Sequence, residues 1–556
     1  MRQWLMVGIV LSLLTACSAF PLASPTPTPT PTPTPPPYTQ PGWWRDAVFY
    51  EVFVRSFYDS NGDGNGDLRG LIEKLDYLND GNPNTTTDLG ITALWLMPIM
   101  ESPSYHGYDV VDYYTVEKDY GTNEDFKALV EAAHARGISV IIDLVLNHTS
   151  NTHPWFIDAQ LDPASPYRDW YIWRDEPPTT KQGPFGANAW YEANGRWYYA
   201  AFWSGMPDLN YTNPDVTAEM YRVADYWLTE MGVDGFRLDA VRYIIEDDLG
   251  SPKAVLASSP ETLEWLKAFR QHVQQTKPTA FIVGEIWSDS LEIARYVQAE
   301  AVDTGFEFNL AEAILRSANE GAGFYLRQAL DALQRLYPAG RYSPFLTNHD
   351  QPRVMNAVGA DPAKARLAAI TYLTLPGTPF LYYGEEIGMR GTKPDEKIRT
   401  PMQWSAEANA GFTTGHPWIA VNPDYKTVNV AAQAVDEASL LSTYRRLIHL
   451  RANFSALRTG RLTLLQSSAG PVVAYLRDDE AARFLVVLNY AAKIQENVTL
   501  TFPAELLPAG TYRLQSVLES APEIQLDLGP QGGSLALGTL GPQTALIYQL
   551  LAPEQP

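Results

Sequence analysis

The sequence has little of three features that would each point to a class of protein: cysteine, positive charge and long apolar runs. Cys17 is the single cysteine among 556 residues, so no disulfide can form within the chain. Lysine and arginine number 41 against 64 aspartates and glutamates. The resulting net charge of -23 argues against nucleic acids and anionic membrane surfaces as partners, and fits a neutral substrate. The apolar stretch from Trp4 to Leu14 is too short to span a bilayer as a mature helix.

Aromatic residues, by contrast, are abundant. They make up 12% of the chain and include 15 tryptophans and 31 tyrosines. Sugar rings stack on the flat faces of such side chains, although a large hydrophobic core also uses them. The length leaves room for about three domains. Composition alone therefore leaves both uses of the aromatic residues open.

The N-terminus predicts export. Arg2 and the apolar stretch after it are typical of a signal peptide, and residues 14–17 (LTAC) resemble the lipobox of bacterial lipoproteins. On this interpretation the signal peptide comprises residues 1–16, and Cys17 becomes the lipidated N-terminus of a protein at the cell surface. The alternative is an ordinary secretory signal that is cut nearby and leaves a secreted protein.

A low-complexity segment follows the signal peptide. Proline and threonine alternate through residues 24–37 almost without a break. Such a run cannot build a core and favours an extended spacer of the polyproline type. We therefore expect a linker over residues 17–40 that acts as a stalk, and a folded part that begins near Tyr38.

Strand-like and helix-like segments alternate through most of the remaining chain. The runs at residues 48–54, 91–98 and 138–146 are apolar enough to be strands buried on both faces, as in a parallel sheet. Between the last two, Thr122 and Asp125 predict a helix that begins with a capping box. The strand-like runs number about eight, which is the number that closes a (β/α)₈ TIM barrel in an α/β fold.

Two regions break this alternation. Residues 149–206 show no strong helical period but many aromatic, proline and acidic residues. They predict a subdomain inserted after the third strand, beside the active-site mouth, with the barrel itself at residues 41–148 and 207–455. Residues 456–556 alternate apolar and polar side chains and predict a C-terminal antiparallel β-sandwich, which either supports the barrel or binds substrate.

Three of the strand-like runs end in a carboxylate. They are residues 235–240 (GFRLDA, with Asp239), 281–285 (FIVGE, with Glu285) and 345–350 (FLTNHD, with Asp350). The carboxyl ends of parallel barrel strands meet at the active-site mouth. A structural ion pair would explain one such strand end, but three of them call for an explanation by chemistry.

An acidic loop follows the first strand-like run. Its oxygen-bearing side chains stand at every second position: Asp59, Asn61, Asp63, Asn65 and Asp67. Such spacing, with glycines between, lets a tight loop fold oxygen atoms around one hard cation, as calcium-binding loops do. The acidic groups would repel one another without a cation. We therefore expect a structural calcium ion here, the alternative being a solvated acidic turn.

Four motifs, present in this order, resemble those of the α-amylase family of glycoside hydrolases. They are residues 143–148 (DLVLNH), 235–239 (GFRLD), 284–285 (GE) and 348–350 (NHD). The resemblance runs from about Trp43 to the C-terminus. It implies a TIM barrel, a subdomain inserted after the third strand and a C-terminal β-domain, in agreement with the pattern of strands and helices.

The resemblance also implies roles for the residues at the strand ends. Asp239 is expected to be the nucleophile, Glu285 the general acid/base, and Asp350 the residue that holds sugar hydroxyls at the cleaved bond. Arg237, two residues before Asp239 and so on the same strand face, is expected to keep that carboxylate ionised. The expected substrate-binding residues are His106, Tyr108, Asp109, His148, Arg237, His349 and Arg399.

The resemblance to subgroups of the family is mixed. Ala240 and His106 are similar to enzymes that cleave α-1,4 bonds, whereas Asp109 and residues 399–404 (RTPMQW) are similar to oligo-1,6-glucosidases. The mixture resembles a subgroup intermediate between oligo-1,6-glucosidases and neopullulanases, populated mainly by exported α-amylases. The leading hypothesis is a monomeric, endo-acting α-1,4-glucan hydrolase that degrades starch, glycogen or maltodextrins with retention of configuration.

Two other functions stay open at this point. One is an exo-acting α-glucosidase, an oligo-1,6-glucosidase or a transglycosylase. The other is a non-catalytic protein that only binds glucan. The second is less favoured because such proteins tend to lose the three carboxylates, all of which are present here.

Overall fold

The computed structural model describes residues 37–518 and 521–551. The expected signal peptide, the lipidation site at Cys17 and most of the linker lie outside the described residues. The described chain begins with a short 3₁₀ helix, Pro37–Thr39. None of its helices is both long enough and apolar enough to cross a membrane.

Twelve strands precede residue 384 in the described chain. They are β1 (Phe49–Val52), β2 (Ala93–Leu96), β3 (Met100–Glu101), β4 (Asp112–Val116), β5 (Ser139–Leu144), β6 (Trp173–Arg174), β7 (Trp190–Ala193), β8 (Arg196–Tyr199), β9 (Gly235–Leu238), β10 (Phe281–Gly284), β11 (Thr304–Gly305) and β12 (Phe380–Tyr382). Seven of them form one parallel sheet in the order β11-β10-β9-β5-β2-β1-β12. Every residue in these seven strands is buried, as expected for a parallel sheet covered on both faces.

An eighth extended segment, residues 342–344, closes the sheet between β11 and β12. Ser343 donates its backbone N–H to the carbonyl oxygen of Gly305, and Phe380 donates its N–H to that of Pro344, both at 3.0 Å. The sequence predicts this strand at residues 345–350, slightly too late in the chain. Pro344 has no N–H to donate, which keeps the pairing short. The result is the (β/α)₈ barrel that the sequence predicts.

Fifteen α-helices accompany the strands in the described residues. They are α1 (Leu68–Glu73), α2 (Leu75–Leu78), α3 (Asn123–His134), α4 (Pro154–Leu161), α5 (Pro214–Thr229), α6 (Pro260–Thr276), α7 (Ser290–Gln298), α8 (Phe308–Glu320), α9 (Phe324–Leu336), α10 (Val354–Ala357), α11 (Pro362–Thr374), α12 (Asp395–Ile398), α13 (Val430–Gln433), α14 (Leu440–Asn453) and α15 (Ser455–Arg458). The predicted capping box of α3 is present, with Thr122 and Asp125 each accepting the other's backbone N–H. Asn213 caps α5, which leads into β9 and its carboxylate.

Between β5 and α5 the chain leaves the barrel and returns to it. The excursion contains α4 and a small antiparallel sheet in the order β6-β8-β7. The returning chain pairs with the departing one, since Asp208 bridges to His148 and Leu209 to Tyr171. This stem anchors the inserted segment at the carboxyl end of β5, where the predicted catalytic residues lie.

Eight further strands form the C-terminal part. They are β13 (Arg461–Ser467), β14 (Val472–Asp478), β15 (Arg483–Asn489), β16 (Gln495–Phe502), β17 (Gly510–Ser516), β18 (Ile524–Leu528), β19 (Gly533–Leu540) and β20 (Thr544–Leu551). They make one antiparallel sheet, in the order β18-β17-β20-β15-β14-β13-β16-β19, around an apolar core of their own. This confirms the predicted antiparallel β-domain.

Two buried arginines donate to the end of α11, and one of them, Arg477, joins this sheet to the barrel. Arg477 of β14 donates to the carbonyl oxygen of Thr374, and Arg451 of α14 donates to that of Leu373 at 3.0 Å. The last carbonyl groups of a helix have no partner within it. The arginines supply the missing donors, and their positive charge suits the negative end of the helix dipole.

Candidate active site

The three carboxylates at the strand ends lie around one cavity. Asp239 follows β9, Glu285 follows β10, and Asp350 follows the segment at residues 342–344. The cavity has a volume of about 330 Å³. Its lining includes these three residues and four of the expected substrate contacts, His106, Tyr108, His148 and Arg399. The structure therefore brings these seven side chains together at the carboxyl ends of the barrel strands.

Arg237 connects the carboxylates from below the cavity. Its Nη1 atom lies 2.6 Å from Oδ1 of Asp239 and 2.8 Å from Oδ1 of Asp143. Its Nη2 atom lies 3.0 Å from Oε2 of Glu285. One guanidinium group thus contacts both Asp239 and Glu285, which makes them close neighbours. Retaining glycosidases need such neighbours, with the two carboxyl groups about 5–5.5 Å apart.

The backbone directly after Asp239 has an uncommon conformation. Ala240 lies in the left-handed region, with φ 49° and ψ 34°. For a residue with a side chain this costs roughly 1–2 kcal/mol. The turn aims the Ala240 N–H at Oε2 of Glu285, 3.0 Å away. Glu285 is therefore held by a hydrogen bond from this turn and by an ion pair with Arg237.

The pKa values of the three carboxylates are pushed in different directions. Burial raises the pKa of Asp239 and of Glu285 above their usual range, although Arg237 acts to lower both. For Asp239 the expected influence of Arg237 is thus present, but burial outweighs it. Burial also acts to raise the pKa of Asp350, but the charges of His349 and Arg399 hold it well below its usual range. A raised pKa suits a general acid, which must carry a proton.

His349 connects Asp350 to a second buried carboxylate. Its Nδ1 atom lies 2.5 Å from Oε1 of Glu51, and its Nε2 atom lies 3.1 Å from Oδ2 of Asp350. Burial acts to lower its pKa, but Asp350 and Glu51 together raise the pKa of His349 to about 9. The imidazole is therefore positively charged near neutral pH. That charge explains why Asp350 stays ionised in a buried place.

We expect His349 to make the stability of the fold depend on alkaline pH. Its folded-state pKa of about 9 exceeds the ordinary 6.5, so its stabilising effect is complete below pH 6.5 and is lost as the pH rises through 9. The difference in free energy of unfolding between the unaltered protein and His349→Gln should shrink by up to about 3 kcal/mol between about pH 6 and pH 10. Denaturant unfolding at both pH values measures it, and a difference that ignores pH would contradict the assignment.

Neighbouring residues of the loop before β4 face opposite ways. Tyr108 lines the cavity, and its hydroxyl lies 3.1 Å from Oδ2 of Asp143 and 2.6 Å from Nε2 of His349. Asp109 is buried and accepts hydrogen bonds from the hydroxyls of Ser102 and Ser104. It is not among the residues that line the cavity, contrary to the substrate contact expected for it. Its hydrogen bonds hold the loop that presents Tyr108.

Arg237 and His349 also differ from the other expected substrate contacts. Neither is among the residues that line the cavity, and both are fully buried behind it. The two Nη atoms of Arg237 and both ring nitrogens of His349 contact the carboxylates described above. They therefore act on a substrate indirectly, by positioning those carboxylates and favouring their ionised forms.

Two carboxylates to which the sequence analysis assigned no role complete the site, Asp143 from the first family motif and Glu51. Asp143 of β5 pairs with Arg237, and burial raises the pKa of Asp143 to about 7. Glu51 of β1 pairs with His349. Each could have been noticed in the sequence as a carboxylate within an otherwise apolar strand. A charge on a strand that is buried on both faces needs a partner of opposite charge.

The acidic loop at residues 59–67 is ordered by hydrogen bonds of its own. Asp59 accepts the backbone N–H groups of Gly62 at 2.7 Å and Gly64 at 2.8 Å, and Asp67 accepts that of Ser60 at 2.8 Å. Throughout the described ranges, no group of three or more His, Cys, Asp or Glu side chains is arranged to hold a metal ion. The donors of the loop are nonetheless all oxygen atoms, the kind that calcium prefers.

Two neighbouring carboxylates held by one arginine at the mouth of a parallel barrel form the arrangement that one class of enzymes, the retaining glycoside hydrolases, uses. Comparison with known protein families narrows this class. Residues 51–460 match the model of the alpha-amylase catalytic domain, so the chain belongs to the α-amylase family and is a glycoside hydrolase.

Individual relatives carry two kinds of name. Alpha-amylase 3 of Dictyoglomus thermophilum is 41% identical over 458 residues, covering 81% of this chain and 86% of that protein. Oligo-1,6-glucosidase of Heyndrickxia coagulans is 34% identical over 532 residues, covering 83% and 93%. The crystal structure of alpha-amylase from H.orenii superimposes with a TM-score of 0.79 at 41% identity, covering 91% of this chain and 99% of that one. Their names therefore state two different activities, alpha-amylase and oligo-1,6-glucosidase.

Proposed function

We propose that the protein is an α-amylase: a retaining, endo-acting hydrolase that cleaves α-1,4 bonds in starch, glycogen or maltodextrins. The observation that supports this best is that the site opens on both sides of Glu285. A second cavity of about 580 Å³ shares Glu285 and Asp350 with the first one. An enzyme that cuts within a chain needs room for sugar units on both sides of the cleaved bond.

The chemistry follows from the arrangement of the carboxylates. Asp239 attacks the anomeric carbon and forms a covalent glycosyl-enzyme, while Glu285 gives its proton to the departing glycosidic oxygen. Glu285 then takes a proton from water, which attacks the same carbon and releases Asp239. Two inversions give net retention, and one water molecule is added across the bond. Arg237 balances the charge of Asp239, and ionised Asp350 binds hydroxyls of the sugar at the cleaved bond.

The reacting sugar is proposed to lie against Tyr108. His106 and His148 are its proposed hydrogen-bond partners. Burial lowers the pKa of His148 to about 4 and lowers that of His106. Both imidazoles are therefore neutral near pH 7, and a neutral imidazole has one nitrogen that donates and one that accepts. This suits sugar hydroxyls, which do both.

An α-glucosidase, an oligo-1,6-glucosidase or a transglycosylase is the second candidate. It is favoured by residues 399–404, where Arg399 donates to Oδ1 of Asp350 at 2.8 Å, and by the relative named oligo-1,6-glucosidase. The discriminating experiment is a time course of products from soluble starch, pullulan and maltotriose. Mixed maltooligosaccharides early in starch digestion would support the endo-acting proposal. Glucose as the only early product would overturn it, and so would absence of turnover on all three substrates.

We further propose that the loop at residues 59–67 binds a structural calcium ion through Asp59, Asn61, Asp63, Asn65 and Asp67. The all-oxygen donor set supports this. Chelation should then lower the melting temperature by a few degrees, because an ion bound only by the folded state stabilises it by mass action.

The control for this prediction comes from a second loop of the same chain. Asp80 accepts the backbone N–H of Asn82, as Asp63 accepts that of Asn65. Asp63→Ala should abolish the shift between chelator and excess calcium, whereas Asp80→Ala should keep it. An identical melting temperature of the unaltered protein in chelator and in calcium would rule out the metal.

Export and domain division are proposed on the sequence pattern. The protein would be a monomeric cell-surface lipoprotein anchored at Cys17, with residues 17–40 as its stalk. The barrel would span residues 41–148 and 207–455, interrupted by a subdomain at residues 149–206. Residues 456–556 would then form the C-terminal domain.

A further inference from the structure

A fully buried arginine follows Asp350 in the chain and takes no part in the proposed chemistry. This residue, Arg353, exposes only 2% of its surface. Its guanidinium group lies over the rings of Tyr382 and Tyr383, with the Cζ atom 4.4 Å and 4.6 Å from the two ring centres. Aromatic faces attract such a cation, but removing a charge from water remains costly. The arginine therefore calls for an explanation other than packing.

Arg353 joins two stretches of main chain that are distant in sequence from it. Its Nε atom donates to the carbonyl oxygen of Ile398 at 2.9 Å, and its Nη1 atom donates to that of Tyr383 at 2.6 Å. Ile398 ends α12 and stands directly before Arg399, whereas Tyr383 directly follows β12. The side chain thus ties the segment that carries Arg399 to the end of a barrel strand.

Hydroxyl groups also hold the three successive carbonyl oxygens of residues 398–400. Tyr382 donates to the first at 3.1 Å, Ser56 to the second at 2.5 Å, and Tyr383 to the third at 2.7 Å. All three donors are buried. The segment cannot shift without leaving one of these oxygen atoms unpaired away from water, which is costly. The main chain of Arg399 is therefore fixed on both sides of its Cα atom.

The side chain of Arg399 reaches from this fixed segment to the active site. Its Nε atom donates to the carbonyl oxygen of His349 at 3.0 Å, and its Nη2 atom donates to Oδ1 of Asp350 at 2.8 Å. Arg399 is itself buried and lines the first cavity together with Asp350. The place of the Asp350 carboxylate thus depends on where residues 398–400 lie.

We propose that Arg353, Tyr382 and Tyr383 are positioning residues for glycoside hydrolysis. They fix the carbonyl oxygens of residues 398 and 400, so that Arg399 orients the carboxylate of Asp350 toward the sugar at the cleaved bond. This rests on the proposed function, since it uses the role given there to Asp350. It does not depend on whether cleavage is endo or exo, because the sugar at the cleaved bond is bound in both cases.

Arg353→Lys tests the proposal, because it keeps the charge but loses the planar fork that reaches both carbonyl oxygens. The value of kcat/KM for maltoheptaose should fall about tenfold or more, since small displacements of a group at the reacting centre are costly. A double-mutant cycle with Arg399→Gln separates positioning from general support of the fold. In a protein that already carries Arg399→Gln, the added Arg353→Lys should cost less than about twofold, because both changes disturb the same contact with Asp350.

A milder variant decides the question if the buried lysine prevents folding. Tyr383→Phe keeps the ring beside Arg353 and removes only the hydroxyl that holds the carbonyl oxygen of Thr400. It should lower kcat/KM for maltoheptaose by about threefold or more, the usual effect of one lost hydrogen bond. This loss too should nearly vanish in the presence of Arg399→Gln.

Tyr512→Phe serves as the control. Its buried ring likewise donates to a carbonyl oxygen, that of Pro508 at 2.9 Å, but it belongs to β17 of the C-terminal sheet. It should leave kcat/KM unchanged. Losses that are equally large with and without Arg399→Gln would overturn the inference, and so would full activity of folded Arg353→Lys. If the unaltered protein does not hydrolyse maltoheptaose, the proposed function itself fails.

Discussion

Asp239→Ala should lower the rate of starch hydrolysis by about 10⁴-fold or more while binding of the glucan is kept. The substitution removes the atom that forms the covalent intermediate. Arg237 keeps Asp143 and Glu285 as partners, so its charge stays balanced and the barrel should remain folded. Initial rates on starch, affinity for a maltooligosaccharide and a thermal melt measure the three parts of this result.

Rescue by a small anion makes the test specific. The space left at position 239 admits azide, which can attack the anomeric carbon of α-glucosyl fluoride as fluoride departs. A single inversion then gives β-glucosyl azide. Asp143→Ala is the matched control, because Asp143 pairs with the same nitrogen of Arg237 but does not line the cavity. The azide product should form only in Asp239→Ala, and unchanged starch turnover in that variant would refute the role of Asp239.

Glu285→Gln should reduce kcat/KM for starch by about 10²–10⁴-fold, the usual contribution of a positioned acid. With α-glucosyl fluoride the rate of the first step, formation of the glycosyl-enzyme, should fall much less, because fluoride leaves without needing a proton. Release of the glycosyl-enzyme then becomes slow, because the base that activates water is missing. The expected time course is a burst of released fluoride equal to the enzyme concentration, followed by slow steady release.

The pH profile supplies a second readout of the same group. The pKa of Glu285 is raised, so activity on starch should fall on the alkaline side as this proton is lost. This fall in activity at alkaline pH should be absent in Glu285→Gln. Glu246→Gln is a suitable control, because burial raises the pKa of Glu246 as well, yet Glu246 lines neither catalytic cavity. Equal losses on starch and fluoride, without a burst, would mean that Glu285 only supports the structure.

The barrel and the meeting of its carboxylates could be predicted from the sequence because local pattern determines both. Apolar runs buried on two faces belong to parallel strands, and the carboxyl ends of such strands share one edge. Asp239, Glu285 and Asp350 needed no further information to be placed together. The capped helix before β5 was predictable for the same reason, since Thr122 and Asp125 interact within a single turn.

The contacts behind the cavity could not be predicted in this way. His349 and Glu51 are 298 residues apart, and nothing in the local pattern of either indicates the other. Asp109 follows Tyr108 directly but turns away from the cavity, because the hydroxyls of Ser102 and Ser104 capture its carboxylate.

The arginines at the end of α11 bear on how small a working version of this enzyme can be made. The family match ends at residue 460, so trimming the chain there looks attractive to a protein engineer. Such a truncation would remove Arg477 and leave the carbonyl oxygen of Thr374 without its donor, next to apolar surface newly opened to water. The shortest self-sufficient catalyst therefore extends beyond the segment that carries the chemistry.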